Sequence, residues 1–245
     1  MHPLKDIELP PYRSDDFDDI PAMGRRMGER HIKHIRESGK WKEAVQGCLA
    51  ADSFADACVG HVLDALEKSR YANNTIVVLW GDHGYDVGEK KIAKSALWER
   101  TTRTPLIIYA PGNLPSGSPP NGKICKSPVS LLDLYPTLLD LCGLPENKQL
   151  DGRTFASLVG KPNADWPYPA VITHSPHWLG VNHAVRSKRH HYIRYSDGGE
   201  ELYDMQNDPN QWRNLAGSPA HADVKNELRM WLPKTNAPHF RAAPK

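Results

Sequence analysis

Apolar positions recur at helical spacing in the first third of the chain. From Lys42 to Ser69 they form one continuous stripe, which predicts a long amphipathic helix. A weaker pattern in RRMGERHIKHIRESG predicts a shorter helix that ends at Gly39. The preceding residues, 1–21, are rich in proline and in acidic side chains, which favours an extended segment running over a surface.

Two apolar runs predict β-strands after these helices. TIVVLW, ending at Trp80, has no polar alternation, which is typical of a strand buried on both faces of a parallel sheet. TPLIIYAPG, residues 104–112, predicts a second strand closed by Pro-Gly, with a Pro-, Gly- and Ser-rich loop after it. SLLDLYPTLLDLCGLP has helical periodicity around Pro136, so we expect a broken helix or two turns, with a stop at Gly143 and Pro145.

From about Trp166 the pattern changes to short strands. AVITH, HAVRS, HYIRYS and ELYD are candidates, SDGGE marks a hairpin turn, and a closing helix is predicted over residues 220–232. The predicted fold class is therefore α/β, with a mixed or parallel sheet and flanking helices, followed by a small antiparallel α+β subdomain. We divide the chain into an extended segment with a short helix (1–40), the α/β part (41–165) and the C-terminal subdomain (166–245).

Composition changes this picture little. The 245 residues include 39% hydrophobic and 24% charged side chains, which is ordinary for a globular protein. A net charge of +2 gives no reason to expect a nucleic-acid partner, and the cluster Lys188–His191 is interpreted as a solvated turn between strands. No window predicts a membrane span, and residues 1–21 lack the apolar region of a secretory signal.

The four cysteines have no metal-ligand spacing. Cys48 and Cys58 lie ten residues apart in one predicted helix, about 15 Å, which is too far for a disulfide. We expect buried free thiols. Cysteine usage does not identify the compartment.

Candidate chemistry follows the first strand directly. Gly81-Asp82-His83-Gly84 places an oxygen and a nitrogen ligand where open α/β folds bind ligands, at the carboxyl edge of the sheet. A plain polar turn is the alternative from spacing alone. Lys94 follows Asp82 by twelve residues and could meet an anionic oxygen near a cation. The alternative is that Lys90, Lys91 and Lys94 form a solvated basic loop.

These motifs resemble those of the sulfatase family, of alkaline-phosphatase-like fold, and in particular its iduronate-2-sulfatase-like and choline-sulfatase-like branch. The resemblance rests on GDHGYDVGEK, Lys94 and LWERTTRTPLII in this order. It continues through SLLDLYPTLLDLCGLP, LDGRTF, NHAVRSKRHHYIRYSDGGEELYDMQNDPNQWRNLA and WLPKTNAP. It covers most of the chain from the long helix onward, and it implies that residues 41–165 are the C-terminal part of the sulfatase α/β domain.

The resemblance implies roles for particular residues. Asp82 and His83 match two ligands of a Ca²⁺ (or Mg²⁺) ion, and Lys94 matches a lysine that contacts the sulfate group, although the spacer before it is about one residue shorter than in relatives. His183 is a candidate substrate-binding residue at the lip of the site, with a satisfied strand histidine as its alternative. Asp204, Asn207 and Asp208 are interpreted as a structural turn.

Other parts of the family pattern are not found in this sequence. The family nucleophile is a formylglycine made from the Cys or Ser of a C/S-x-P-x-R motif, and no cysteine here has that context. An apolar strand ending in an Asp-Asp pair is also not found. We therefore expect the C-terminal portion of a sulfatase, a missing N-terminal half as a partner, and no activity of this chain alone.

Three functional hypotheses follow. The first is a sulfuric ester hydrolase acting on a sulfated small molecule or glycan. The second is a phosphate mono- or diester hydrolase of the same superfamily, and the third is a non-catalytic half that needs a partner. Full-length relatives are usually exported or lysosomal, which leaves the compartment of this chain open.

Overall fold

The computed structural model describes residues 2–90, 92–111, 122–176 and 180–236. The α-helices in this part of the chain are α1 (Ala22–Glu37), α2 (Trp41–Glu67), α3 (Glu99–Thr102), α4 (Leu134–Leu141), α5 (Ala156–Gly160) and α6 (Ala222–Arg229). The strands are β1 (Val77–Trp80), β2 (Asp86–Val87), β3 (Ile92–Ala93), β4 (Leu106–Tyr109), β5 (Ala170–His174), β6 (Asn182–Arg186), β7 (His190–Arg194) and β8 (Glu200–Asp204). Short 3₁₀ turns cover Leu4–Asp6, Leu131–Asp133 and Pro219–His221.

The first two predicted strands are present, but they pair differently from the parallel arrangement predicted. β1 and β4 run antiparallel as a two-stranded sheet, with Val78 opposite Ile108. One face packs against a core that contains Leu134, Phe155 and Leu158. The other face is open, so the expectation that β1 is buried on both faces is wrong for the part of the chain that the structure describes.

The C-terminal sheet matches the sequence prediction closely. β5, β6, β7 and β8 form one antiparallel sheet in chain order, and Gly198 turns the β7–β8 hairpin at a φ of 94°. The sheet is covered on both faces: Ala184 and Ile193 lie in one core cluster, whereas Val185 and Tyr192 lie in another with α6. Side chains that alternate along these strands therefore fill two separate cores.

Lys188 and Arg189 form an exposed turn between β6 and β7, but His190 and His191 lie in β7 and His191 is 0% exposed, so the interpretation of Lys188–His191 as a solvated turn is wrong for the two histidines. Ser187 and His190 exchange hydrogen bonds across the β6–β7 turn.

At the end of β8, Asp204 accepts hydrogen bonds from Arg189 and Asn207. The hydrogen bond from Arg189 holds the pKa of Asp204 well below its usual range. This carboxylate therefore closes a turn, in agreement with the structural interpretation of the segment.

The N-terminal segment does more than run over a surface. Ile20 and Met27 are buried in the same core as residues of the C-terminal sheet. Asp16 is also buried, and its carboxylate pairs with Lys90 at 2.6 Å. Burial raises the pKa of Asp16, and the neighbouring ammonium opposes that effect. The start of the chain therefore packs on the C-terminal sheet through apolar contacts and is joined to the β2–β3 hairpin by an ion pair.

Two smaller predictions have clear outcomes. A 3₁₀ turn precedes α4, but α4 itself continues through Pro136, which lies in its first turn, so the break expected at that residue is not there. The helix stops just before Gly143, which has a φ of 65°. The cysteines are free, as predicted, but Cys58, Cys125 and Cys142 are exposed rather than buried. Among the described residues, no helix has the length and apolarity needed to cross a bilayer.

The carboxyl group of Glu201 is a fully buried hydrogen-bond acceptor in the C-terminal sheet. It is 0% exposed and accepts hydrogen bonds from Trp98 Nε1 (2.9 Å), from Tyr195 (2.5 Å) and from Tyr203. Burial and the adjacent Glu201 raise the pKa values of Tyr195 and Tyr203 well above their usual range. Both phenols therefore stay protonated as donors.

Substituting Glu201→Ala leaves these three buried donors without their acceptor. We expect the free energy of unfolding to fall by roughly 3–5 kcal/mol, measured by urea denaturation. Glu146→Ala, at an exposed loop position, is the matched control and should change stability by less than about 0.5 kcal/mol. Equal effects of the two substitutions would contradict this assignment.

Glu99 gives a separate prediction about pH. Burial by itself would raise the pKa of Glu99, but the His191 ring, whose Nδ1 lies 3.6 Å away, and Arg186, which donates a hydrogen bond at 2.8 Å, outweigh it and lower the pKa to about 2. A depressed native pKa contributes stability above the unfolded pKa of about 4.5, and this contribution is lost as pH falls toward about 2. Glu99→Gln should therefore lower the free energy of unfolding at pH 7 by up to roughly 3 kcal/mol.

The pH dependence of the difference in unfolding free energy between the original chain and Glu99→Gln is the test of this assignment. Urea titrations at several pH values should show the gap between the original chain and Glu99→Gln narrowing between pH values of about 4.5 and 3. Glu146→Gln serves as the control, with no such change in its gap. A Glu99→Gln gap that stays constant over this range would show that the carboxylate is not held ionised by Arg186 and His191.

Candidate functional site

The candidate site begins where β1 ends, in a turn held against α3. Gly81 donates a backbone hydrogen bond to Pro105 at 3.2 Å, and Gly84 donates one to Thr101 at 3.0 Å. A Cβ atom on Gly84 would collide with the carbonyl oxygen of Arg100. Both glycines are therefore required by the close approach of the α3–β4 connection, and the two residues between them project from a fixed turn.

Asp82 and His83 lie side by side on this turn. His83 Nδ1 is 2.8 Å from the carbonyl oxygen of Gly84, so Nδ1 carries the hydrogen, because a carbonyl can only accept. The other ring nitrogen, Nε2, lies 3.6 Å from Asp82 Oδ2. In neutral histidine this places a nitrogen lone pair beside a carboxylate, an arrangement that a shared proton or a cation would stabilise.

The donor set fits part of a cation site. Two ligand atoms that each lie about 2.3–2.6 Å from one ion, at a right angle, are about 3.3–3.7 Å apart. The observed 3.6 Å separation agrees with that value. The Asp82 side chain is 85% exposed and that of His83 is 35% exposed, so both can be reached by a ligand. Within the described ranges, no third Asp, Glu, His or Cys joins the pair to make a complete cluster.

The lysines after this turn differ in their exposure and in their partners. Lys94 is exposed at the end of the β2–β3 hairpin, and its ammonium has no hydrogen bond or ion pair to any residue that the structure describes. Lys90 is instead 3% exposed and paired with Asp16, so the alternative of a wholly solvated basic loop is wrong for this residue. Lys91 lies outside the described residues. Ser95, next to Lys94, has an uncommon φ of 70°.

Helix α3, which lies against the turn, is anchored to the C-terminal sheet by the residues at its start. Trp98 Nε1 donates to Glu201 at 2.9 Å, and Arg186 pairs with Glu99 at 2.8 Å. Lys90 Nζ lies 5.7 Å from the centre of the Trp98 ring. Sequence reasoning did not identify these anchoring residues, because a buried carboxylate and a buried lysine look like surface residues in a linear pattern.

His183 lies in β6, away from the strand-end turn in the chain. It is 7% exposed, and its Nδ1 is 3.0 Å from Thr173 Oγ1, while its Nε2 is 2.9 Å from Asn236 Oδ1. Both ring nitrogens therefore already have partners. Neither His183 nor Lys94 shares a hydrogen bond or an ion pair with Asp82 or His83 in the part of the chain that the structure describes. Their predicted roles in substrate binding stay predictions.

Two family models match this chain. The model described as Sulfatase matches residues 11–144. The model described as N-sulphoglucosamine sulphohydrolase, C-terminal, matches residues 82–237. Both matches include the Asp82-His83 turn, Lys94 and α3, so the candidate site falls in the stretch that the two models share.

Curated relatives agree with these matches. A protein named sulfatase from Formosa agariphila is 42% identical over 242 residues, which is 97% of this chain and 46% of the relative. An N-acetylglucosamine-6-O-sulfatase from Bacteroides thetaiotaomicron is 31% identical over 81% of this chain and 36% of its own length. The chain thus spans about half the length of the first of these relatives, and less of the second.

Solved structures share the fold. A 2-O GAG sulfatase superimposes with a TM-score of 0.74 at 24% identity, over 91% of this chain and 51% of its own. A phosphonate monoester hydrolase from Silicibacter pomeroyi gives a TM-score of 0.78 at 22% identity, over 94% and 50%. The superpositions show a shared fold, and the match of the Sulfatase model to more than half of the residues shows that the chain belongs to the sulfatase family.

Proposed function

We propose that this chain carries part of the active site of a sulfuric ester hydrolase. The observation that carries the proposal is the Asp82-His83 pair, whose ligand atoms are 3.6 Å apart on a turn fixed by two glycines. Membership of the sulfatase family supports a sulfate ester as the substrate. The iduronate-2-sulfatase-like and choline-sulfatase-like branch, and the C-terminal position of this segment within the family, are part of the proposal.

Each residue has a role that its surroundings permit. Asp82 and His83 hold a divalent cation, Ca²⁺ or Mg²⁺, with His83 oriented by the hydrogen bond from Nδ1 to Gly84. When bound, such an ion neutralises negative charge on the oxygens of a sulfate ester. Lys94 binds a sulfate oxygen, because its ammonium is exposed and has no anion partner among the described residues. His183 lines the substrate entrance only if Asn236 releases its ring.

The site needs groups from outside this chain. Ca²⁺ takes about 6–8 oxygen ligands, and the described residues bring only Asp82 and His83 together. The formylglycine expected for the family has no precursor motif in the sequence. The remaining ligands and the nucleophile therefore come from a second stretch of polypeptide, and the chain by itself is inactive.

The substrate class is a sulfated small molecule or glycan. Relatives are named N-acetylglucosamine-6-O-sulfatase and Δ4,5-hexuronate-2-O-sulfatase, and a structural neighbour was solved with D-glucosamine-2-N,6-O-disulfate. The second candidate is a phosphate or phosphonate ester, since a phosphonate monoester hydrolase has the same fold. Sulfate is favoured because relatives that are 42% and 29% identical to this chain are named sulfatase and arylsulfatase.

A chimera tests these roles. The segment of the 42%-identical Formosa agariphila sulfatase that aligns with this chain is replaced by this chain, and hydrolysis of 4-nitrophenyl sulfate is measured with added Ca²⁺. We expect turnover by the chimera and a loss of about 10²–10³-fold in kcat for Lys94→Ala, because one stabilising cation is removed. Asp82→Asn should cause a comparable loss that excess Ca²⁺ reverses only in part.

The controls are exposed residues of the same types. Lys188→Ala and Asp165→Asn, both at exposed positions, should leave turnover within about twofold. If Lys94→Ala lowers kcat no more than Lys188→Ala does, the role proposed for Lys94 is wrong. Faster hydrolysis of 4-nitrophenyl phosphate than of the sulfate would select the phosphate-ester alternative.

The chain alone gives a separate prediction. Because it offers two ligands rather than a full set, we expect Ca²⁺ binding weaker than about 1 mM by isothermal titration calorimetry, and no turnover of 4-nitrophenyl sulfate. Tight Ca²⁺ binding or turnover by the isolated chain would show that its own residues complete the site.

A further inference from the structure

A cleft of about 670 Å³ lies between α4 and the loop that leads from α4 to α5, with Tyr168 at its side. This volume falls within the roughly 300–1,000 Å³ that is usual for small-molecule sites. The described residues that line the cleft include none of the residues to which the proposed function gives a role. The cleft is therefore a concave surface that the proposed sulfate-ester chemistry does not use.

One wall of the cleft is held in place by buried groups of the preceding helix. Arg153 donates its backbone N–H to Asp133 Oδ1 at 2.8 Å, and Phe155 donates to Thr137 Oγ1 at 3.0 Å. Asp133 and Thr137 are 7% and 0% exposed. These hydrogen bonds fix the backbone of the loop before any ligand binds, which lowers the entropy cost of binding there.

The guanidinium group of Arg153 is held between two aromatic rings. Its central carbon lies 4.8 Å from the centre of the Tyr168 ring and 5.9 Å from that of Trp231. Trp166 packs edge-on against Tyr168, with the ring centres 5.0 Å apart. Such contacts orient a guanidinium without using its hydrogen-bond donors. No described residue accepts a hydrogen bond from this side chain or forms an ion pair with it, so its planar donor edge is available to an oxyanion.

The rest of the lining combines apolar and polar groups. Leu139 and Leu144 supply an apolar surface, and Leu144 is 56% exposed. Asp140 accepts a hydrogen bond from Thr154 at 2.8 Å through Oδ2, which leaves Oδ1 free to accept another. Lys148 is exposed and has no described anion partner. A sugar ring has an apolar C–H face and a rim of hydroxyl groups, so it matches an apolar surface that is bordered by a carboxylate and a hydroxyl.

We infer that this cleft binds an acidic saccharide. Arg153 pairs with a carboxylate or sulfate group of the sugar, the ring lies against Leu139 and Leu144, and Asp140 accepts a hydrogen bond from a ring hydroxyl. Lys148 adds a second positive charge at the edge of the cleft. A peptide carboxylate would satisfy Arg153, but it offers no hydroxyl-bearing ring to the other groups. Binding here goes beyond the proposed function, because it needs neither the cation site nor turnover.

Isothermal titration calorimetry of this chain tests the assignment. The probe is a sulfated, uronic-acid-containing disaccharide prepared from heparin, and the comparison ligands are maltose, inorganic sulfate and the dipeptide Glu-Glu. We expect the acidic disaccharide to bind at least about 10-fold more tightly than each comparison ligand, since only this probe offers both an oxyanion and a sugar ring. Arg153→Ala should weaken its binding by at least about 10-fold. Arg153→Lys should have an intermediate effect, because an ammonium keeps the charge but loses the planar donor edge.

Two control variants separate this cleft from other positive charges. Arg213→Ala, at an exposed position that does not line the cleft, should leave the affinity within about twofold. Lys94→Ala should do the same, because Lys94 belongs to the candidate sulfate site. Circular dichroism of each variant shows whether the fold is retained.

Several results would overturn the assignment. They are no binding of the disaccharide to the original chain, equal weakening by Arg153→Ala and Arg213→Ala, and binding of maltose, inorganic sulfate or Glu-Glu as tight as that of the disaccharide. Binding that Lys94→Ala abolishes and Arg153→Ala leaves unchanged would also overturn it, while supporting the role proposed for Lys94. Conversely, binding that depends on Arg153 would stand even if the chimera showed no sulfatase turnover.

Discussion

The structure depends on one buried carboxyl group. Glu201 sits at 0% exposure in β8 and accepts hydrogen bonds from Trp98, Tyr195 and Tyr203. Without these donors the cost of burying it would be several kcal/mol. Because Trp98 directly precedes α3, its hydrogen bond to Glu201 also fixes the position of α3, which lies against the Asp82-His83 turn. The C-terminal sheet thereby determines where the candidate cation ligands lie.

Much of this architecture could be predicted from the sequence, for physical reasons. The C-terminal strands alternate cleanly, and Gly198 provides the hairpin turn, so their antiparallel pairing follows from local patterns. The long helix was predicted to within a few residues, because its apolar spacing is continuous. The Asp82-His83 pair was visible because two glycines and a preceding apolar strand mark a turn at a sheet edge.

Other features depend on contacts between distant parts of the chain. Lys90 is buried only because Asp16, far away in sequence, reaches it, and no local pattern reports such a partner. The TIVVLW run was interpreted as buried on both faces, yet its outer face is open in this chain. That prediction failed because an apolar run does not show how many faces of a strand are packed, and the described residues pack on only one face of β1.

The central claim is that this chain supplies two ligands of a cation whose other ligands come from elsewhere. The most direct measurement is the luminescence lifetime of Tb³⁺, a Ca²⁺ substitute, in H₂O and D₂O, which counts the water molecules on the ion. In the chimera with the Formosa agariphila sulfatase, we expect few water molecules on the bound ion. In the double variant Asp82→Ala/His83→Ala, we expect either more water molecules on the ion or loss of Tb³⁺ binding. A water count and an affinity that are the same with and without this double substitution would contradict it.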